Sequence, residues 1–331
     1  KTTILRATAT EEGCLPSRTL TQTYFINEGF TLPVVSLVAD NKAQYRRVYN
    51  NKMKHVEIPG SVALYEEGGS FSLGCGITLS GATSLDLPKK NLSVRFRGAY
   101  GDAMLDYDVF GGGVTSFQSL TLRSGQDYYF GIIRNELLQD LALEFSDSVV
   151  AQRSKHVVLY VNGEYRGIYA LKEKVTRQLY ASVAGVSKDS VVMEEASVHP
   201  RDAFYQEVYS FVTKHNMADE DNYAYFCSVM DVDSLVDWAI LEGYFANNDL
   251  LSGNLRYCKS SANDGKWRVV FYDLDAAMRS RELTFYSLFS TDRTKQQITQ
   301  MLRALVKNPS FRARLCERFA EGLRGALSPE H

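Results

Sequence analysis

Asn247-Asn248-Asp249-Leu250-Leu251-Ser252-Gly253-Asn254 follows an apolar helical stretch at 232–246. It leads through a strand, Leu255 to Lys259, and a turn at Ser260 to Gly265 into a second strand, Trp267 to Tyr272, which runs into Asp273-Leu274-Asp275. Helix, polar loop, hairpin and acid pair therefore come in one order within a short span. If Asp264-Gly265 forms a two-residue turn, Asn254 faces Asp275 and Arg256 faces Asp273; a longer turn would shift this register without separating the groups far. Asp273 and Asp275 point to one face if the strand persists, and Asn254 joins them there. An amide oxygen and two carboxylates are hard donors, suited to Mg²⁺ or Mn²⁺ bridging a polyphosphate. Asn and Asp are also ordinary turn residues after a helix. That accounts for each residue singly; the order of all four favours a function.

Outward from this stretch, the chain changes character. Up to about Val175 it reads mostly as strands, and from about Thr176 mostly as helices. Thr2 to Ala9 and Thr19 to Phe25 read as two short strands, Leu92 to Arg97 alternates apolar and polar residues, and Ser119 to Arg123 is a further candidate. The best hairpin is His156 to Leu171, because Asn162-Gly163 is the favoured type I′ turn pair. Apolar residues at helical spacing mark 132–145, 203–215, 232–246, 295–306 and 310–327. Gly111-Gly112-Gly113 reads as a flexible turn.

The 331 residues suffice for two lobes or small domains, each with its own core. A formal net charge of −2 gives no sign of a nucleic-acid binder, which normally shows a basic stripe. No apolar run approaches the length of a membrane span, and Lys1 opens directly into polar sequence. The five cysteines are far apart and odd in number, so a CxxC site or a disulfide framework is not expected, and buried free thiols are. The histidines lack ligand spacing. The 20 tyrosines fall mostly in patterned strands and helices and read as core.

Asp-x-x-x-x-Asn, from Asp249 to Asn254, is the spacing of the protein-kinase catalytic loop, in which the Asp takes the substrate proton and the Asn holds metal. The later Asp273 matches the kinase metal-binding Asp. An apolar strand running into Asp-x-Asp also opens the haloacid-dehalogenase phosphatases, but Ala276-Ala277 stand where that motif needs Gly-Thr. Phe245-Ala246-Asn247-Asn248-Asp249, Gly265-Lys266-Trp267-Arg268 and Phe271-Tyr272-Asp273-Leu274-Asp275 together resemble the spore-coat protein H (CotH) kinase family. So do Tyr160 to Tyr169 with Glu173, Leu32 to Leu37, Pro88-Lys89-Lys90-Asn91, and Leu122-Arg123 with Asp127 and Arg134.

The resemblance implies an α+β, two-lobed protein-kinase-like fold. A β-rich N-terminal lobe would cover 31–175 and a mainly helical C-terminal lobe 176–331. Residues 1–30 would be the trailing strands of an upstream chitobiase-type β-domain or an N-terminal extension. It further implies ATP- and metal-dependent phosphorylation of proteins of the cell envelope, spore coat or extracellular space, by a secreted or surface-associated bacterial protein. Carried over by position, Asp249 is the base, Asn254 and Asp273 are metal ligands, and Asp275 is a second ligand or a brace. Glu173 either approaches the adenine or is a salt-bridged loop residue. On the phosphate side no GxGxxG exists; Leu79 to Ser84 reads as a shortened cover loop, with Lys90 and Arg123 as rival phosphate contacts. Helix 132–145 would supply an acidic partner, Glu144 or Glu136, with Glu144 preferred. The expected partners are ATP, Mg²⁺ or Mn²⁺, and a protein substrate. The alternatives are a non-catalytic pseudokinase or adhesin module, and transfer of another nucleotide-derived group such as AMP.

Overall fold

A computed structural model describes residues 2–126, 131–195, 199–247, 249–250, 254–279, 284–290 and 296–330. Its strands are β1 (Thr2–Ala7), β2 (Leu20–Phe25), β3 (Val34–Ala39), β4 (Ile58–Glu66), β5 (Gly69–Ser80), β6 (Asn91–Arg95), β7 (Leu105–Asp106), β8 (Ser116–Phe117), β9 (Ser119–Arg123), β10 (Val150–Ala151), β11 (Ser154–Val161), β12 (Glu164–Glu173), β13 (Val191–Glu195), β14 (Arg256–Ser260) and β15 (Arg268–Phe271). Its helices are α1 (Lys42–Asn50), α2 (Arg134–Phe145), α3 (Arg177–Ala184), α4 (Ser210–Lys214), α5 (Glu220–Val229), α6 (Val232–Tyr244), α7 (Thr284–Phe289), α8 (Gln297–Leu305) and α9 (Pro309–Arg324). The protein is thus mixed α+β, with a large β-sheet. It divides into two compact units: Lys1–Ile132 with Arg153–Lys174, and Ile133–Gln152 with Val175–His331.

The first unit is built on a closed barrel with strand order β11-β12-β9-β6-β5-β4-β3. Neighbours are antiparallel except at the closure, where β3 and β11 run parallel and Val34 pairs with Val158. Alternate residues fill the interior, among them Leu37, Leu64, Ile77, Leu122 and Leu159, as a period of two requires. The β11–β12 turn uses Asn162 at φ 55° and Gly163 at φ 83°, the two positive values of a type I′ turn. Asn162 Oδ1 also accepts from the Ala39 amide at 2.9 Å, which ties the turn to β3. β1 and β2 form a two-stranded antiparallel ribbon. It joins this unit through Thr23 and Ser36 hydroxyls 2.7 Å apart and through Phe25 packed edge-on to Tyr65 and Tyr160.

The second unit packs helices around the four-stranded sheet β10-β15-β14-β13, in which only β10–β15 is parallel. Its centre is α6. Asp231 caps the helix by accepting from the Ser234 amide at 3.0 Å. Every residue from Ser234 to Gly243 is buried, so the helix has no solvated face. Gly243 is required there, because a Cβ would sit 2.7 Å from the Phe285 ring. Asp237, 2% exposed, is neutralised by Arg318 Nε at 2.8 Å.

Two expectations need correction. Of the two turn lengths considered, the hairpin takes the longer one: Arg256 pairs with Val270, not with Asp273 as a two-residue turn would require. Trp267 is drawn away from the ladder, its N–H donating to Val229 O and its carbonyl accepting from the Asp231 amide, both at 2.9 Å. The turn therefore lengthens, and Asp264 spends its carboxylate on Arg268 at 2.7 Å. The strand also ends at Phe271, so strand alternation does not place Asp273 and Asp275 on one face. As for the cysteines, all five are free, but Cys14 and Cys316 are exposed and only Cys75 and Cys258 are fully buried.

Candidate functional site

The end of α6 starts the site. Phe245 closes the helix and Ala246 turns it at φ 48°, which places Asn247 under the helix end, its N–H donating to Glu242 O at 3.3 Å. Asn247, 1% exposed, then reaches two ways. Its Oδ1 accepts from the Asp249 amide at 3.2 Å, and its Nδ2 donates to the Asp273 carbonyl at 3.5 Å. Asp249 and Asn254 meet directly, Asn254 Nδ2 donating to Asp249 Oδ2 at 3.0 Å. Asn248 and residues 251–253 lie outside the described residues, as does Asp127.

On the other side, β15 hands over to Asp273 at φ 63°. Leu274 is fully buried in the core of this unit while Asp273 and Asp275 stay half-buried beside it. The start of α2 grips this segment: Asn135 Oδ1 accepts from the Leu274 amide at 3.0 Å, and Arg134 Nη1 donates to Asp275 O at 2.8 Å. Met278, at φ 53°, donates its N–H to Phe245 O at 2.7 Å and returns the chain to the end of α6. Among the described residues six non-glycine positions have left-handed φ, and three of them, Ala246, Asp273 and Met278, border this site. Each costs roughly 1–2 kcal/mol, so the fold maintains strain here, as functional sites often do.

Glu242 sits beneath the site. It is fully buried, and the Asn247 side chain lies beside its carboxylate. Burial pushes its pKa from 4.5 up to about 8; the Asn247 side chain opposes this and the nearby negative charge of Asp273 adds to it.

Asp249, Asn254, Asp273 and Asp275 thus all belong to the second unit, and Asn247 links the first pair to Asp273. The donor set fits a hard cation. With Nδ2 turned to Asp249, Asn254 offers its Oδ1, and Asp273 and Asp275 offer carboxylates. Among the described residues no cluster of three or more His, Cys, Asp or Glu is placed to hold a metal by itself; substrate oxygens commonly complete the shell of such a cation. Phosphate oxygens are the usual ones for Mg²⁺.

The remaining candidates lie apart in role. Lys90, Arg123 and Glu173 belong to the first unit. Lys90 is buried and its Nζ donates to Leu87 O at 2.8 Å. Arg123 ends β9 opposite Ala170. Glu173 is salt-bridged: Arg153 Nη2 donates to its Oε1 at 2.6 Å, and the Arg153 amide to its Oε2 at 2.9 Å. In the second unit Glu144 is exposed near the end of α2, whereas Glu136 is 1% exposed and accepts from Asn135 Nδ2 at 2.7 Å. Sequence reasoning passed over Asn135 and Glu242. Glu242 had a signal, an acid inside an otherwise apolar helix; Asn135, 139 residues from Leu274, had none.

The α+β fold thus brings an Asp–Asn pair and a strained Asp to the end of one buried helix. A family model described as CotH kinase protein matches residues 77–331, and the chain belongs to that family. Membership points to a kinase-like phosphotransferase. No curated protein sequence matches the chain. Among the described residues no helix is long and apolar enough to cross a membrane.

Proposed function

We propose that the protein is an ATP- and Mg²⁺- or Mn²⁺-dependent protein kinase with a two-lobed kinase-like arrangement. Its site is centred on Asp249, Asn254 and Asp273, and its substrates are proteins of the bacterial envelope, spore coat or extracellular space. What carries this reading is the 3.0 Å contact between Asp249 and Asn254 on a loop that Asn247 ties to Asp273. Asn254 holds Oδ2 of Asp249, which leaves Oδ1 to take the proton of an acceptor hydroxyl as that oxygen bonds to the γ-phosphorus and the bond to ADP breaks. A bound cation neutralises charge on the phosphates; Asn254 and Asp273 would hold it, with Asp275 as a further ligand or a brace. Lys90 or Arg123 would contact phosphate, and Glu144 or Glu136 would be the acidic partner on α2.

The test is intact mass after incubation with ATP and either cation, beside Asp273→Ala and Asp249→Ala. Addition of phosphoryl groups in the wild type alone supports the proposal. An AMP-sized increment keeps the site but changes the reaction. No added mass and no ATP-dependent thermal stabilisation refutes nucleotide binding. One observation favours a second reading, a non-catalytic pseudokinase or adhesin module: the Lys90 ammonium and the Glu173 carboxylate are already engaged by Leu87 and Arg153.

A further inference from the structure

The peptide unit joining Asp273 to Leu274 is gripped at both of its polar atoms. Asn247 donates to its carbonyl oxygen at 3.5 Å, and Asn135 accepts from its N–H at 3.0 Å. Both asparagines are 1% exposed. Their orientations follow from their other partners. Asn135 turns Nδ2 to the Glu136 carboxylate, and Asn247 turns Oδ1 to the Asp249 N–H. Flipping either carboxamide sets donor against donor and acceptor against acceptor.

This grip bears on the residue just before it. Asp273 is held at φ 63°, where a non-glycine residue is strained. With β15 held in place, relaxing φ at Asp273 is a turn about its N–Cα bond, which swings the side chain and the 273–274 peptide together. Both buried carboxamides oppose that movement, since each loses its hydrogen bond to the peptide if the peptide turns, and the buried carbonyl and N–H of that peptide would be left unpaired.

We infer that Asn135 and Asn247 are positioning residues, a two-sided clamp that holds Asp273 in the conformation that presents its carboxylate to the cation of a metal–nucleotide complex. This rests on the reading of Asp273 as a metal ligand. The clamp has two further consequences. Asn247 also holds the Asp249 amide, so one side chain sets the base and the ligand in register. Asn135 and Arg134 both come from the first turn of α2, so the position of α2 and the geometry of Asp273 are coupled.

The experiment is a Mn²⁺ titration of the whole chain by electron paramagnetic resonance, with a non-hydrolysable ATP analogue at saturation. Wild type, Asp273→Ala, Asn135→Ala and Asn247→Asp are compared, with urea unfolding to establish that each is folded. Amide hydrogen exchange at Leu274 supplies a readout independent of metal. The clamp predicts about tenfold weaker Mn²⁺ binding in both asparagine variants, and faster Leu274 exchange in Asn135→Ala at matched global stability. Asn247→Asp is the sharper variant. It keeps the acceptor for the Asp249 amide, loses the donor to Asp273 and with it the amide contact with Glu242, and its added negative charge would by itself tighten a cation. Weaker binding in that variant therefore supports the clamp, and tighter binding overturns it. If Asp273→Ala abolishes binding while both asparagine variants stay within about twofold of wild type, the clamp alone fails. If Asp273→Ala binds Mn²⁺ like wild type, the metal-ligand reading fails and takes the clamp with it.

Discussion

Glu242→Gln should stabilise the protein, and the gain should grow with pH. Native Glu242 keeps its proton up to about pH 8, whereas in the unfolded chain it ionises at its ordinary 4.5. Between those values the unfolded state binds fewer protons than the native one, so wild-type stability falls as pH rises through that window. The gap costs about 3 kcal/mol near pH 7 and approaches about 5 kcal/mol above pH 9. Gln has the same shape and no charge to desolvate. The two proteins should therefore be nearly equal in stability at about pH 4 and diverge steadily towards alkaline pH. Urea unfolding at a series of pH values, with chelator present, measures the difference directly. A difference that stays flat with pH, or a wild type more stable than the variant at about pH 8, would refute the reasoning, because it would mean that Glu242 is ionised and well paired in the native protein. A residue that lowers stability at the floor of a site is the kind of cost that function retains.

Arg318→Met should destabilise by about 3 kcal/mol in urea unfolding, because it leaves Asp237 buried and unpaired on α6. Gly243→Ala should lower the melting temperature although alanine favours helix, because its Cβ meets the Phe285 ring at 2.7 Å. Asp264 is held down to about 2, chiefly by hydrogen bonds from Arg268. Asp264→Asn should therefore be less stable than wild type at neutral pH, with the deficit vanishing as pH falls from 3.8 through about 2. Asp264 is 38% exposed, so that deficit should be small in thermal melts.

Local chemistry was legible wherever a few neighbouring residues decide it. Asn162-Gly163 forms the expected turn, because both residues tolerate left-handed backbone at little cost. The hairpin at 256–271 was also expected, yet local sequence left its register open. Asp264-Gly265 permits a two-residue turn, but Val229 and Asp231 compete for the backbone of Trp267 and win, which shortens the ladder. The strands β3, β4 and β5 escaped local reading, because strands buried in a closed barrel draw their stability from partners far along the chain.

The sequence by itself determined the order of the candidate residues: Asp249, then Asn254, then a hairpin, then Asp273, following the apolar helix at 232–246, together with the family to which the chain belongs. Short-range spacing and side-chain type are sufficient for that. Only the tertiary structure decided how the parts are held. The parallel closure of the barrel, the salt bridge that occupies Glu173, the choice of Glu136 over Glu144 for burial, and the grip of Asn135 on Leu274 are all long-range or burial effects. Their physical basis is the same in each case. A buried polar group must find a partner, and which partner lies within reach depends on how distant segments pack.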